Sequence, residues 1–138
     1  MIYIDTSCLF AFYIDETNSN HVDELINKSP DVFISKLTII EMLSSLKKRA
    51  RMNELSNSSV KKIYALFKDH ISIGIFKVLD LDSLVFSNAE ILLSSASTPL
   101  RTLDALHLAA ASENNLKIFT FDKTLIKAAK ELQIGTLD

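Results

Sequence analysis

The sequence predicts a single α/β domain over residues 1–138, built on a mainly parallel sheet of four or five strands with about seven flanking helices. Three observations lead there. Short β-rich apolar runs alternate with long segments of helical periodicity, which is the rhythm of βαβ units. At 138 residues and 48% hydrophobic, the chain can bury a full core without a disulfide or structural metal. No repeat, low-complexity tract or Pro/Gly-rich linker divides it, and Pro30 and Pro99 both sit where periodic segments end.

Taken in order, residues 1–4 form an apolar run stopped by Asp5, and they read as a strand because they carry no basic leader and the acid interrupts them. Helical patterns follow over 7–13 and 21–28, then a strand over 32–34. In the helix expected over 37–51, Ile39, Met42, Leu43, Leu46 and Ala50 fall on one arc, so one face packs and the other is wet. Next come a helix over 56–70, a strand over 75–79 and a helix over 83–95. The helix over 102–114 lacks a polar stripe, since Leu103, Ala105, Leu106, Leu108, Ala109, Ala110 and Ala111 run round its circumference, and it should be buried nearly all round. A strand over 118–121, a helix over 123–132 and a last short strand over 134–137 complete the set.

Composition excludes several functions. Cys8 is the only cysteine, which removes internal disulfides, zinc fingers, haem attachment and thioredoxin-like chemistry, and fits a reducing, cytoplasmic setting. The longest stretch free of Asp, Glu, Lys and Arg runs over residues 91–100, too short and too serine-rich to span a bilayer, so no membrane role is expected. With only Gly74 and Gly135, neither a dinucleotide-binding fingerprint nor a phosphate-binding P-loop can be written. A net charge of −2 offers no bulk case for nucleic-acid binding, so any such case is local.

Two acids stand where the chain otherwise carries no charge: Asp5 in the first fourteen residues and Asp104 in the apolar helix. An ionised carboxylate removed from water must neutralise, pair or coordinate a metal. Taken singly, each is explained as a helix cap or first-turn acid. The topology argues for more. Asp5 and Asp122 end strands, Glu41 lies in the early turns of the helix leaving the second strand, and Asp104 begins a helix that runs antiparallel to the strands. All four therefore belong to the carboxyl edge of the sheet, where α/β proteins bind ligands. An all-oxygen cluster suits a hard cation, Mg²⁺ or Mn²⁺, which takes phosphate oxygens as further ligands and so suggests phosphodiester chemistry.

The runs Ile2-Tyr3-Ile4-Asp5-Thr6-Ser7, Ser35-Lys36-Leu37-Thr38-Ile39-Ile40-Glu41, Arg101-Thr102-Leu103-Asp104-Ala105-Leu106-His107-Leu108-Ala109 and Thr120-Phe121-Asp122 resemble the four acidic motifs of PIN-domain ribonucleases, in particular the toxins of VapBC-type toxin-antitoxin pairs. The resemblance covers nearly the whole chain, in order. It implies a Rossmann-like PIN fold, a homodimer, Mg²⁺- or Mn²⁺-dependent endonucleolytic cleavage of RNA with 5′-phosphate and 3′-hydroxyl products, and inhibition by a cognate antitoxin protein. Carried over, Asp5, Glu41, Asp104 and Asp122 hold the metal and form the catalytic set, with Glu41 or Asp104 as proton acceptor. Thr120, Thr6 or Ser7 orient a carboxylate or water. By its own position, just before the buried helix and beside Asp104, Arg101 is expected to contact a substrate phosphate or pair with a site carboxylate. The chain departs from its relatives at Asn53, where a turn glycine is frequent, and in the loop over 15–19, which lacks a frequent Pro-Gly.

Further residues have two readings each. His107 shares a helical face with Asp104 and is either a ligand or proton shuttle, or a buried hydrogen-bonded histidine. Glu41 by its position alone reads as a solvated surface acid. Lys47, Lys48, Arg49 and Arg51, with Lys61 and Lys62, either follow an RNA backbone or are the wet faces of two helices. Phe10, Phe12, Tyr13, Phe67, Phe76, Phe86, Phe119 and Phe121 read as core. Three alternatives compete. Asp80-Leu81-Asp82 after a strand mimics the nucleophile and acid of haloacid-dehalogenase-like phosphatases; Asp80 with Lys123 loosely mimics a response-regulator receiver domain; and a catalytically inactive PIN-like domain would serve only for protein binding or oligomerisation.

Overall fold

A computed structural model describes residues 1–14 and 17–137. The chain runs β1 (Ile2–Ile4), α1 (Thr6–Tyr13), α2 (Ser19–Lys28), β2 (Val32–Ser35), α3 (Lys36–Arg51), α4 (Asn57–Ser72), β3 (Phe76–Leu79), α5 (Ser83–Ser95), α6 (Thr102–Glu113), β4 (Lys117–Phe119) and α7 (Lys123–Glu131). The four strands pair in parallel in the order β3-β2-β1-β4. The chain thus moves outward from β1 through β2 to β3 and then crosses back to lay β4 on the other side of β1. This reversal makes the carboxyl ends of β1 and β4 the topological switch point, where a crevice opens.

Strand alternation divides the core. Ile2 and Ile4 face a cluster built from α1–α4 that includes Leu9, Val22, Met42, Leu46 and Phe67. Tyr3, between them, points the other way, into a cluster of α5–α7 residues that includes Val85, Leu92, Leu108 and Leu125. The result is a three-layer sandwich with helices on both faces of a buried parallel sheet. Ala105, Ala109, Ala110 and Ala111 of α6 are fully buried, and the helix packs mainly against α5 and beside β4.

Several elements differ from expectation for local reasons. The last strand shrinks to a single bridge, Ile118 to Thr136. β4 stops at Phe119, opposite Ile4, the last residue of its partner β1, and beyond it the Thr120 hydroxyl bonds Asp5 and the Asp122 amide. α6 is not buried all round: Leu103, in its first turn, is 46% exposed where the helix emerges at the crevice. Phe86 likewise lies outside the core, 55% exposed on α5. Asn53, which ends α3 in place of a turn glycine, adopts φ 58°, and the Asn53 and Glu54 amides close the helix on Ala50 and Arg49 carbonyls. In the 15–19 loop, Asp15 and Glu16 lie outside the described residues. Among the described residues, no helix is long and apolar enough to cross a membrane.

Candidate active site

Asp5 follows β1 and caps α1. Its Oδ1 accepts the Cys8 amide at 3.1 Å and the Ser7 hydroxyl at 2.7 Å, and its Oδ2 accepts the Thr120 hydroxyl at 2.5 Å. Only 5% of Asp5 is exposed, so these three donors do the work that water would otherwise do for a carboxylate. Thr120 in turn accepts the Asp122 amide at 3.0 Å, while Ser7 accepts the Phe121 amide at 3.4 Å. Two hydroxyls therefore lace the end of β1 to the end of β4 across the switch point.

Asp122 caps α7, its Oδ1 accepting the Thr124 and Leu125 amides at 2.8 and 3.2 Å. Asp104 lies in the first turn of α6, where the helix dipole favours an anion, and its Oδ2 accepts from Arg101 Nε at 3.2 Å. The Arg101 side chain is 82% exposed and that of Asp104 only 15%, so the guanidinium lies over the carboxylate from the solvent side.

Glu41 is not the solvated surface acid that its position on α3 suggested. Its Oε1 accepts the Thr6 hydroxyl at 2.8 Å and His107 Nε2 at 2.5 Å, and among the described residues Oε2 is left without a hydrogen bond. Burial by itself would push this carboxyl up, but the hydrogen bond and charge of His107, the Thr6 hydroxyl and the Arg101 charge together hold it below the ordinary carboxylate value. His107 is buried on α6, one turn deeper than Asp104, and its Nδ1 meets the Tyr3 hydroxyl at 2.6 Å. Tyr3 also bonds Ser35 Oγ at 2.9 Å, and complete burial pushes its hydroxyl up so that it stays protonated.

Glu41, Asp104 and Asp122 border three clefts linked by shared lining residues, whereas Asp5, 5% exposed, lines none of them. A cleft of about 650 Å³ is lined by Thr6, Ser7, Phe10, Glu41, Ser45, Lys48, Arg49, Met52 and Glu54. A second, of about 360 Å³, shares Glu41 and adds Arg101, Thr102, Leu103 and Asp104. A third, of about 500 Å³, shares Arg101 and Asp104 and continues past Asp122 to Lys123 and Lys127. Glu41, Asp104 and Asp122, with Arg101 among them, thus lie along the middle of the run of clefts, with Lys48 and Arg49 beside Glu54 at one end and Lys123 and Lys127 at the other. Arg49 is braced there by Glu54 at 3.1 Å and by the Phe10 ring at 4.7 Å from its centroid. Lys47, Arg51, Lys61 and Lys62 are exposed and line none of these three clefts. Lys123 and Lys127 were missed in the sequence because isolated lysines on an amphipathic helix carry no pattern; Tyr3 was missed because it reads as one more apolar strand residue.

In kind, the donors fit a hard divalent cation: they are oxygens, aligned on one edge, with Glu41 Oε2 uncommitted among the described residues. Among those residues, however, no three His, Cys, Asp or Glu side chains already form a group able to hold an ion. Closing on a cation therefore requires the carboxylates to contribute their second oxygens or to leave Arg101 and the α7 amides.

The phosphatase-like pair is built differently. Asp80 follows β3, an outer strand, and pairs on the surface with Lys36 at 2.8 Å, while Asp82 Oδ1 caps α5 through the Val85 amide at 3.0 Å. Neither lines the acidic groove.

Fold and site together define a parallel α/β domain with an acidic groove at its switch point. The chain belongs to the PIN domain family, whose model matches residues 2–131. FitAcB from Neisseria gonorrhoeae shares the fold with a TM-score of 0.74 at 20% identity, over 100% of this chain and 97% of that one. VapC20 from Mycobacterium tuberculosis, described as a toxin that cleaves the sarcin-ricin loop, gives 0.72 at 17% identity over 93% of this chain and 95% of that one. VapBC2 from Rickettsia felis, bound to a fragment of promoter DNA, gives 0.71 at 17% identity over 99% and 98%. No curated protein matches the chain.

Proposed function

We propose that this chain is an Mg²⁺- or Mn²⁺-dependent endoribonuclease, the toxin of a toxin-antitoxin pair, acting as a cytoplasmic homodimer restrained by a cognate antitoxin. The observation that carries the reading is the groove: carboxylates in its centre flanked by Lys48 and Arg49 on one side and Lys123 and Lys127 on the other. A polyanion laid along it meets cations at both ends while one phosphodiester faces the acids. Membership of the PIN family, and likeness in fold to toxin-antitoxin proteins, support the same reading.

Asp5, Glu41, Asp104 and Asp122 would hold the cation, which would supply an activated water and charge neutralisation at the phosphate. Thr120 and Ser7 fix the Asp5 carboxylate through their hydroxyls, and Thr6 donates one hydrogen bond to Glu41 Oε1. Glu41 or Asp104 takes the proton from the attacking water. Arg101 exchanges Asp104 for the scissile phosphate when RNA enters, a short movement for an exposed side chain. Attack by water leaves a 5′-phosphate and a 3′-hydroxyl.

The test is cleavage of total cellular RNA by purified, antitoxin-free protein with Mg²⁺ or Mn²⁺, beside an EDTA control and the Asp104→Asn variant. Discrete fragments from the wild type alone, with those end groups, are the expected result. Folded wild-type protein that yields none, or yields them equally in EDTA, refutes the reading.

A further inference from the structure

Behind Glu41 lies a polar chain of non-acidic residues from three of the motif runs, Tyr3, Ser35 and His107, to which the resemblance assigns no role. His107, 3% exposed, borders none of the three clefts, so it is placed behind the acid and not among groups that meet substrate. Its Nε2 stands 2.5 Å from Glu41 Oε1 and its Nδ1 2.6 Å from the Tyr3 hydroxyl, which is itself 2.9 Å from Ser35 Oγ. The Tyr3 and His107 rings also lie against each other, with centroids 5.8 Å apart. A carboxylate can only accept, so Nε2 is the nitrogen that carries a proton toward Glu41, while the Tyr3 hydroxyl, whose own proton goes to Ser35 Oγ, meets Nδ1. Both anchors sit in the rigid core: Tyr3 in the central strand and His107 in a helix walled in by alanines.

We propose that Tyr3 and His107 act together as a positioning pair for Glu41, holding its Oε1 from behind so that Oε2 is the oxygen presented to the groove. The proposal rests on the nuclease reading for its kinetic consequence, though not for its geometry. A glutamate has three rotatable bonds, and an acid that must meet a cation or a water in one orientation gains from being held before substrate arrives. Thr6 alone leaves the carboxylate free to turn about its one hydrogen bond. Adding His107 from the other side of the chain removes that freedom. This is the same arrangement by which outer-shell partners orient ligating carboxylates, whose removal costs about 10–100-fold in affinity or activity.

Two measurements test it. The first needs no catalysis: ¹⁵N NMR of histidine-labelled protein, with the His107 signals assigned by their loss in His107→Gln, should show Nε2 protonated and Nδ1 responding to Tyr3→Phe. An unprotonated Nε2, or a His107 spectrum indifferent to both Tyr3→Phe and Glu41→Gln, overturns the proposal whether or not the protein cleaves RNA. The second compares steady-state cleavage by His107→Leu and His107→Gln on a substrate taken from the wild-type fragments. His107→Leu is expected to lower kcat by about 10–100-fold with KM unchanged, and His107→Gln, whose amide N–H reaches as far as the imidazole Nε2, to recover most of that loss. Equal kcat in folded His107→Leu and wild type, or no recovery in folded His107→Gln, overturns it. Absence of cleavage by the wild type refutes the nuclease reading instead and leaves the NMR result to decide the pair.

Discussion

Replacing Thr120 by Val tests whether the switch point is held by the hydroxyl lacing described above. Valine keeps the side-chain shape and removes one donor and one acceptor. The Thr120 hydroxyl gives Asp5 Oδ2 a 2.5 Å bond and receives the Asp122 amide at 3.0 Å, in a site that is 4% exposed. Losing a hydrogen bond to a buried carboxylate costs about 2–3 kcal/mol, and leaving a half-buried amide without its partner adds about 1 kcal/mol. The sum, about 3–4 kcal/mol, is a large part of the stability of an ordinary domain, about 5–15 kcal/mol. At about 3 °C per kcal/mol for a chain of this size, the melting temperature should fall by about 10 °C. Thermal and urea unfolding followed by circular dichroism would measure both quantities, with Thr120→Ser as the control that keeps the hydroxyl and loses only a methyl group, about 1 kcal/mol. A Thr120→Val protein within 1 kcal/mol of wild type, or a Thr120→Ser protein as unstable as Thr120→Val, would show that the lacing contributes little.

Glu131 binds the Ser97 and Thr98 amides and the Thr98 hydroxyl, in the loop that leads to Arg101, and these bonds hold its carboxyl down to about 2 from an ordinary 4.5. Because the folded value is the lower one, the contribution is complete above about pH 4.5 and disappears as pH falls toward about 2. Melting temperatures of wild type and Glu131→Gln should therefore differ by a constant amount at neutral pH and converge by pH 2; a gap that persists in acid contradicts the assignment. Binding of Mn²⁺ should raise the melting temperature through mass action, by about 2.7 kcal/mol of added stability at one hundred times its dissociation constant, and Asp104→Asn should blunt the rise. A flat response across millimolar Mn²⁺ would remove the case for a metal at the carboxylates. Lys48→Ala, introduced into the cleavage-deficient Asp104→Asn protein, should weaken RNA binding across sequences and lower the slope of log affinity against log salt by about 0.7–1. An unchanged slope means that Lys48 touches no phosphate.

The order of elements was legible in the sequence because periodicity and punctuation are local. The alternation of apolar runs with helical arcs marks four or five strands and about seven helices, of which four strands and seven helices form among the described residues, and it predicts that Asp5, Glu41, Asp104 and Asp122 share one edge of the sheet. Boundaries slipped where the tertiary partner decided them: β4 ends opposite the last residue of β1, and α2 begins early at Ser19, whose hydroxyl bonds the Ala11 and Ile14 carbonyls. Leu103 and Phe86 were misplaced because apolarity alone does not say which face of a helix the rest of the chain covers.

What the sequence determined by itself is the parallel sheet, its acidic edge and the family resemblance, since each depends on residue types at fixed intervals along the chain. Tertiary structure alone decided the company each acid keeps. Glu41 and His107 are 66 residues apart, and Tyr3 and His107 104. Their meeting depends on strand alternation turning Tyr3 into the layer of α5–α7, where His107 is buried on α6. Sequence spacing is blind to such distances, because they are set by how two faces pack and not by how far the chain runs between them.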